Sequence, residues 1–274
     1  MNKNLFLLLT LFLFSECSTV PITGRSRVNL VSDAQVLPAS FSQYQGFLKE
    51  NKVSNNTVMT KQIKDVGQKV SMAVDRFMRA NNMIAEANSY QWEFNLVEDK
   101  TVNAWCLLGG KVVFYTGILP FCENENGIAA VMGHEVAHAF AKHGQERMTS
   151  TYGQQIGAVL VALASSKDDP KKQAIWNSAY GISSQVGMLS FSRTHETEAD
   201  KLGLVFMLMA GYQGAEAAEV WVRMSKQEGA NATPEFLSTH PSNETRIQTL
   251  KNYLPTAKVL AEKYNAQAKG FSNK

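Results

Sequence analysis

Between Met59 and Phe77, apolar side chains recur at alternating steps of four and three residues (Met59, Ile63, Val66, Val70, Ala73, Phe77). That spacing stacks them on one face of a helix, and Asn81 with Asn82 predicts where it closes. The period then shortens to two. From Tyr90 to Val97 apolar and polar residues alternate, with Trp92, Phe94 and Leu96 on one face, and Val102 to Cys106 and Lys111 to Thr116 flank a Gly109-Gly110 turn. A strand followed by a hairpin is predicted. After Asn126 the pattern is helical almost throughout. Helices are expected at about Gly127 to Met148, Thr151 to Ser165, Gln173 to Phe191, Thr194 to Ala210, Ala215 to Glu228 and Glu244 to Tyr264, with a Pro170 loop at Lys167 to Lys172. A few strands inside a mainly helical chain predict one α+β domain.

The N-terminus breaks this pattern. Lys3 precedes an apolar run from Leu5 to Phe14, interrupted only by Thr10, and Ser15, Glu16 and Cys17 follow. The run is too short to span a bilayer and reads as a secretory signal peptide over 1–16, with lipid expected on Cys17. Glu16 stands where a bacterial lipoprotein signal normally has Gly, Ala or Ser. Residues 17–38, with Pro21 and Gly24, read as a tether, and 39–274 as the folded body. Ser18 after the cysteine is similar to the sorting signal of enteric outer-membrane lipoproteins, so the periplasmic face of the outer membrane is expected. The segment Ile156 to Ala164 is about half the length of a membrane span and reads as a buried helix. In an exported protein Cys106 and Cys122 can form a disulfide or remain two buried thiols. The net charge of +3 comes without any Lys/Arg block, so no nucleic-acid partner is expected.

The strongest chemical signal is His134-Glu135-Val136-Ala137-His138. With five histidines in the chain, chance yields a His-Glu-x-x-His somewhere in about half a percent of such sequences. Residues four apart on a helix have Cβ atoms about 5–6 Å apart, so both imidazoles can reach one ion. Glu135, turned about 100° from His134, can stand beside the metal as general base without ligating it. A catalytic zinc site needs a third protein ligand. His143, His195, His240 and the carboxylates near Glu196 are candidates, and Glu196 is the best placed. Glu196 and Asp200 are four apart, so one can be a ligand and the other an acceptor for a ligand imidazole N–H. On the same reasoning Glu198 points away into solvent, and His143 lies on the surface near the helix end.

These segments resemble the zinc metallopeptidase family of the CAAX prenyl endopeptidase, HtpX, BepA and LoiP, a gluzincin family. The resemblance covers Asn103-Ala104-Trp105 with Gly109-Gly110 and the Tyr115-Thr116-Gly117 strand end, then Ala130 to His138, Ser192 to Gly203, and Thr239-His240-Pro241 through Ile247. It implies a zincin-like domain, mainly helical, with a small antiparallel sheet whose edge strand lines the active-site cleft. It implies further that His134, His138 and Glu196 bind one Zn2+, Glu135 is the base, and Asp200 supports His134. His240, with Arg246, would come near the metal, either to stabilise the oxyanion or to silence the enzyme as a reversible extra ligand. Leu108 and Ser190 stand where relatives usually have proline. The absence of transmembrane spans and of a repeat domain leaves a compact lipoprotein of LoiP type.

The expected activity is endoproteolysis of extended polypeptides that pair with the edge strand. Unfolded or misassembled envelope proteins fit that need, which implies protein quality control. The competing reading is a zinc-stabilised chaperone or scaffold with little proteolysis. A structural site of four protein ligands has no use for Glu135, so the enzyme is favoured.

Overall fold

A computed structural model of the chain describes residues 16–164, 192–226, 235–240 and 244–272. The apolar leader, the helix expected over 173–191 and the loop at 167–172 lie outside the described residues. The chain clusters into two compact units, Met1–Val36 with His143–Leu189, and Leu37–Lys142 with Ser190–Lys274.

In the first unit, strands β1 (Glu16–Thr19) and β2 (Ser26–Asn29) pair antiparallel, Glu16 opposite Asn29. The stretch read as a tether therefore carries a hairpin. Arg25 donates two hydrogen bonds, of 2.7 and 2.5 Å, to the Glu146 carboxylate on helix His143–Ala164. Among the described residues, no helix is long and apolar enough to cross a membrane.

In the second unit, helix Thr57–Ala80 forms as its stripe predicts. Asn56 caps it by accepting from Met59 N at 3.0 Å, and Ile63, Val66, Val70, Ala73 and Phe77 are buried. It ends at Asn81, with Asn82 in the left-handed region at φ 61°. The sheet has strand order β3 (Glu93–Val97), β5 (Lys111–Tyr115), β4 (Ala104–Leu107). The hairpin β4–β5 is antiparallel as expected, but β3 runs parallel to β5, so the sheet is mixed. The reason is burial: Val112, Val113 and Phe114 are all fully buried, and a run apolar on both faces belongs in the middle of a sheet. Gly109 and Gly110, at φ 87° and 85°, make the turn between β4 and β5; a Cβ on either would strike Phe41 or Trp92.

Among the described residues four helices escaped the pattern, Asp33–Glu50, Ile84–Ser89, Leu119–Cys122 and Glu235–Thr239. The first contributes Tyr44, which packs with Val97 and Val113 under the sheet and is flanked by Phe47, Trp105 and Leu107. The helix expected over 127–148 is broken. Helix Glu125–Phe140 stops, Lys142 takes φ 59°, and His143–Ala164 starts afresh.

The two edges of the sheet differ. The outer edge of β3 is covered by residues 52–54: Ser54 N donates to Leu96 O and Glu98 N to Lys52 O, both at 2.8 Å. On β4, Asn103 O and Leu107 O accept from Tyr115 N and Gly110 N, so backbone groups of the alternate residues Ala104 and Cys106 face outward. Just beyond them, Val102 O accepts from Phe236 N at 3.0 Å.

Candidate active site

Two buried helices build the site. Glu125–Phe140 is capped by the Asn124 side chain, which accepts from Asn126 N and Gly127 N at 2.8 and 3.2 Å; Arg193–Met209 is capped by Ser192, which accepts from His195 N at 3.2 Å. They cross at Gly133 and Gly203. A Cβ on Gly133 would stand 2.7 Å from Gly203 O, and one on Gly203 would stand 2.7 Å from Gly133 C. This backbone contact, adjacent to His134, brings Glu196 up to the two histidines.

His134 Nε2 and His138 Nε2 lie 3.1 Å apart, and Glu196 oxygens lie 3.4 and 3.5 Å from them. Ligand atoms about 2.0–2.1 Å from a tetrahedral centre are separated by about 3.3 Å, and these separations, with Glu196 Oε2 facing His134 and Oε1 facing His138, are of that size. The donor types, two imidazoles and a carboxylate, also suit zinc. All three residues are buried. His240 Nδ1 stands 3.2 Å from His134 Nε2 and 3.0 Å from Glu196 Oε1, completing a four-residue group able to hold a metal ion.

Glu135 is buried, and its Oε1 has no hydrogen-bond partner among the described residues. His240 Nε2 is 3.7 Å away. Asp200 Oδ1 is 3.0 Å from His134 Nδ1, the ring nitrogen other than the Nε2 that meets His138 and Glu196, and Arg246 grips Asp200 through Nε at 2.6 Å and Nη2 at 2.8 Å. Arg246 Nη1 also lies 3.0 Å from Glu196 Oε2 and donates to His240 O at 3.3 Å. Buried carboxylates clustered in this way call for a cation, and a divalent metal would offset the charge that Arg246 leaves unbalanced.

Burial pushes the Glu135 carboxyl up to about 8, with Glu196 adding to the shift and His134 opposing it. For His134, burial and Arg246 act downward, but Asp200 and Glu196 outweigh them and raise the imidazole to about 9. Burial holds His240 down at about 4 despite Glu196. Glu196 and Asp200 are both lowered: desolvation acts upward on each, and is outweighed by His134 and His240 at Glu196, and by Arg246 and His134 at Asp200.

The structure thus brings together His134, Glu135, His138, Glu196, Asp200 and His240. Two expectations are corrected. Glu198 is buried, because nearly every face of its helix is covered between its neighbours. His143 is buried too: the break at Lys142 ends the helical rotation from which a surface position was inferred. Cys106 and Cys122 are free thiols, not a disulfide. Residue-by-residue reasoning missed Trp221, whose ring lies 3.5 Å from the Arg246 guanidinium carbon; an apolar stripe carries no signal for a cation above it.

The sequence profile of peptidase family M48 matches residues 65–254. Over 252 residues the chain is 33% identical to the mitochondrial metalloendopeptidase OMA1 of Schizosaccharomyces pombe, covering 92% of this chain and 70% of that one. It is 30% identical to the Saccharomyces cerevisiae protein of the same name, covering 95% of this chain and 76% of that one. A beta-barrel assembly-enhancing protease of Yersinia pestis is 28% identical over 63% of this chain and 37% of its own length. On a profile match across more than half its length, and similarity to metalloendopeptidases over more than nine-tenths of this chain and at least 70% of theirs, the chain belongs to peptidase family M48 and is a metalloendopeptidase.

Proposed function

We propose that the enzyme is a zinc-dependent endopeptidase that cuts extended polypeptides, with His134, His138 and Glu196 as metal ligands and Glu135 as general base. The observation that carries this reading is the clustering of ligand atoms, with His134 Nε2 3.1 Å from His138 Nε2 and 3.4 Å from Glu196 Oε2, and His138 Nε2 3.5 Å from Glu196 Oε1, near a buried Glu135 Oε1 without a hydrogen-bond partner among the described residues. Zinc, when bound, supplies a Lewis acid for the scissile carbonyl and brings the pKa of water to about 7. Glu135 takes a proton from the attacking water at Oε1 and returns it to the leaving amine. Asp200 orients His134, and Arg246 holds Asp200 in turn.

The outward C=O of Ala104 and the N–H and C=O of Cys106 provide a docking edge for a substrate strand, the Ala104 N–H being taken by Asn103 Oδ1 at 2.9 Å. Burial pushes the Cys106 thiol up, and the charge of Glu135 adds to that rise. Extended chains suit such an edge, which favours unfolded or misassembled proteins over folded ones. The leader pattern and Cys17 support a lipid-anchored enzyme of the bacterial envelope, at the periplasmic face of the outer membrane. Relatives named for mitochondria and for β-barrel assembly mark the two settings in which similar enzymes are named.

His240 favours a latent form. Its Nδ1 takes up the place of a fourth donor, and a site with four protein ligands is closed to substrate. His240→Ala is expected to raise casein cleavage; a fall in kcat would instead assign His240 to the oxyanion. The test of the function itself is cleavage of reduced casein by purified protein, by chelated protein and by chelated protein resupplied with zinc. Loss and recovery are expected. No cleavage by wild type or by His240→Ala, with zinc bound, would point to a scaffold.

A further inference from the structure

Helix Glu216–Ser225 carries none of the residues assigned above, yet its Trp221 is buried at the centre of the site. The Arg246 guanidinium carbon lies 3.5 Å from the indole centroid, the His134 ring meets the indole T-shaped at 5.5 Å, and Phe236 stacks on it at 5.4 Å. Phe236 in turn tilts against His240 at 4.7 Å. One side chain therefore touches a metal-binding imidazole, the arginine behind it and the short helix Glu235–Thr239 that leads to His240.

The geometry of a guanidinium explains what this contact does. Arg246 directs its N–H groups in its own plane, to Asp200, Glu196 and His240 O, which holds the group within that plane. Displacement along the normal is resisted by whatever lies against the face, and an indole face is the best aromatic partner for a desolvated cation. A leucine would fill space there without offering a flat, electron-rich surface. Movement of Arg246 would carry Asp200 with it, and Asp200 sets the rotation of the His134 imidazole.

We propose that Trp221 is a positioning residue of the metal centre, clamping the Arg246 plane and the flank of His134 so that the imidazole keeps its ligating orientation. The inference rests on His134 being a metal ligand. Zinc affinity, read by competition with a chromogenic chelator, and casein kinetics are compared for wild type, Trp221→Phe and Trp221→Leu. Trp221→Leu is expected to weaken zinc binding by about 10–100-fold and to lower kcat while KM stays within about two-fold. Trp221→Phe, which keeps an aromatic face, is expected to recover most of both. A folded Trp221→Leu with wild-type zinc affinity and kcat would overturn the proposal. Should that variant not fold, a cycle of Trp221→Met and Arg246→Lys decides: non-additive effects on zinc affinity support the clamp, and additive effects overturn it. Wild type that binds no zinc would instead overturn the metal reading of the site, and this inference with it.

Discussion

Burial lifts the Glu135 carboxyl to about 8 from an ordinary 4.5, so between those values the unfolded chain has released a proton that the metal-free fold retains. Stability of the metal-free protein must therefore fall as pH rises through that window. Glutamine has no such titration. Glu135→Gln is expected to melt a few degrees above wild type at pH 8 when both are stripped of metal, with the gap closing near pH 4. Equal melting curves at pH 8 would show that Glu135 is solvated. His134 adds a second pH effect. Raised to about 9 by Asp200 and Glu196, its stabilising contribution is full below 6.5 and is lost as pH rises through about 9. Zinc has to displace that proton, so its binding should release protons and tighten as pH rises from 6.5 to 9, which calorimetry in buffers of different ionisation enthalpy would reveal. A pH-independent affinity across that range would argue against His134 as a ligand.

At the scale of elements, the crossing at Gly133 and Gly203 of the two helices that carry the proposed ligands governs the site. Gly203→Ala places a methyl group 2.7 Å from backbone atoms, which the helices can relieve only by separating. The expected loss is about 1–3 kcal/mol in denaturant unfolding, with weaker zinc binding because Glu196 retreats with its helix. Unchanged zinc affinity would mean that the helices adjust without moving the ligands. The edge strand makes a separate prediction: a substrate peptide N-methylated at the residue pairing with β4 should lose about ten-fold or more in kcat/KM, and equal rates would remove the strand-addition model.

Elements with strong local patterns were legible in the sequence, notably helix Thr57–Ala80 with its stripe and caps and the paired histidines on Glu125–Phe140. Others were set by tertiary context. Asp33–Glu50 has Pro38 inside and buries mainly Ser40 and Tyr44, too few positions to mark a face. At the break the left-handed residue is Lys142 and not the nearby Gly144, so the usual glycine signal is displaced, and the alternation that predicts β3 is silent about which way its neighbour runs. Glu198 shows the same limit, since helical angles tell which residues share a face and not how many faces are covered.

The whole molecule carries a buried cluster of proposed metal ligands, the outward edge of β4 and a proposed lipid tether. If Cys17 carries lipid, mass spectrometry of the mature protein will find a modified N-terminal cysteine, and Cys17→Ser will move the enzyme from the membrane to the soluble fraction. An unmodified Cys17 with unchanged membrane association would remove the tether. The central claim, that one buried carboxylate beside a three-ligand zinc site performs the proton transfer, has a more direct test. Zinc content and casein cleavage should be measured together on purified wild type and Glu135→Gln. The account predicts one zinc per chain in both and cleavage only in wild type; a Glu135→Gln variant that binds zinc and cleaves at the wild-type rate would contradict it.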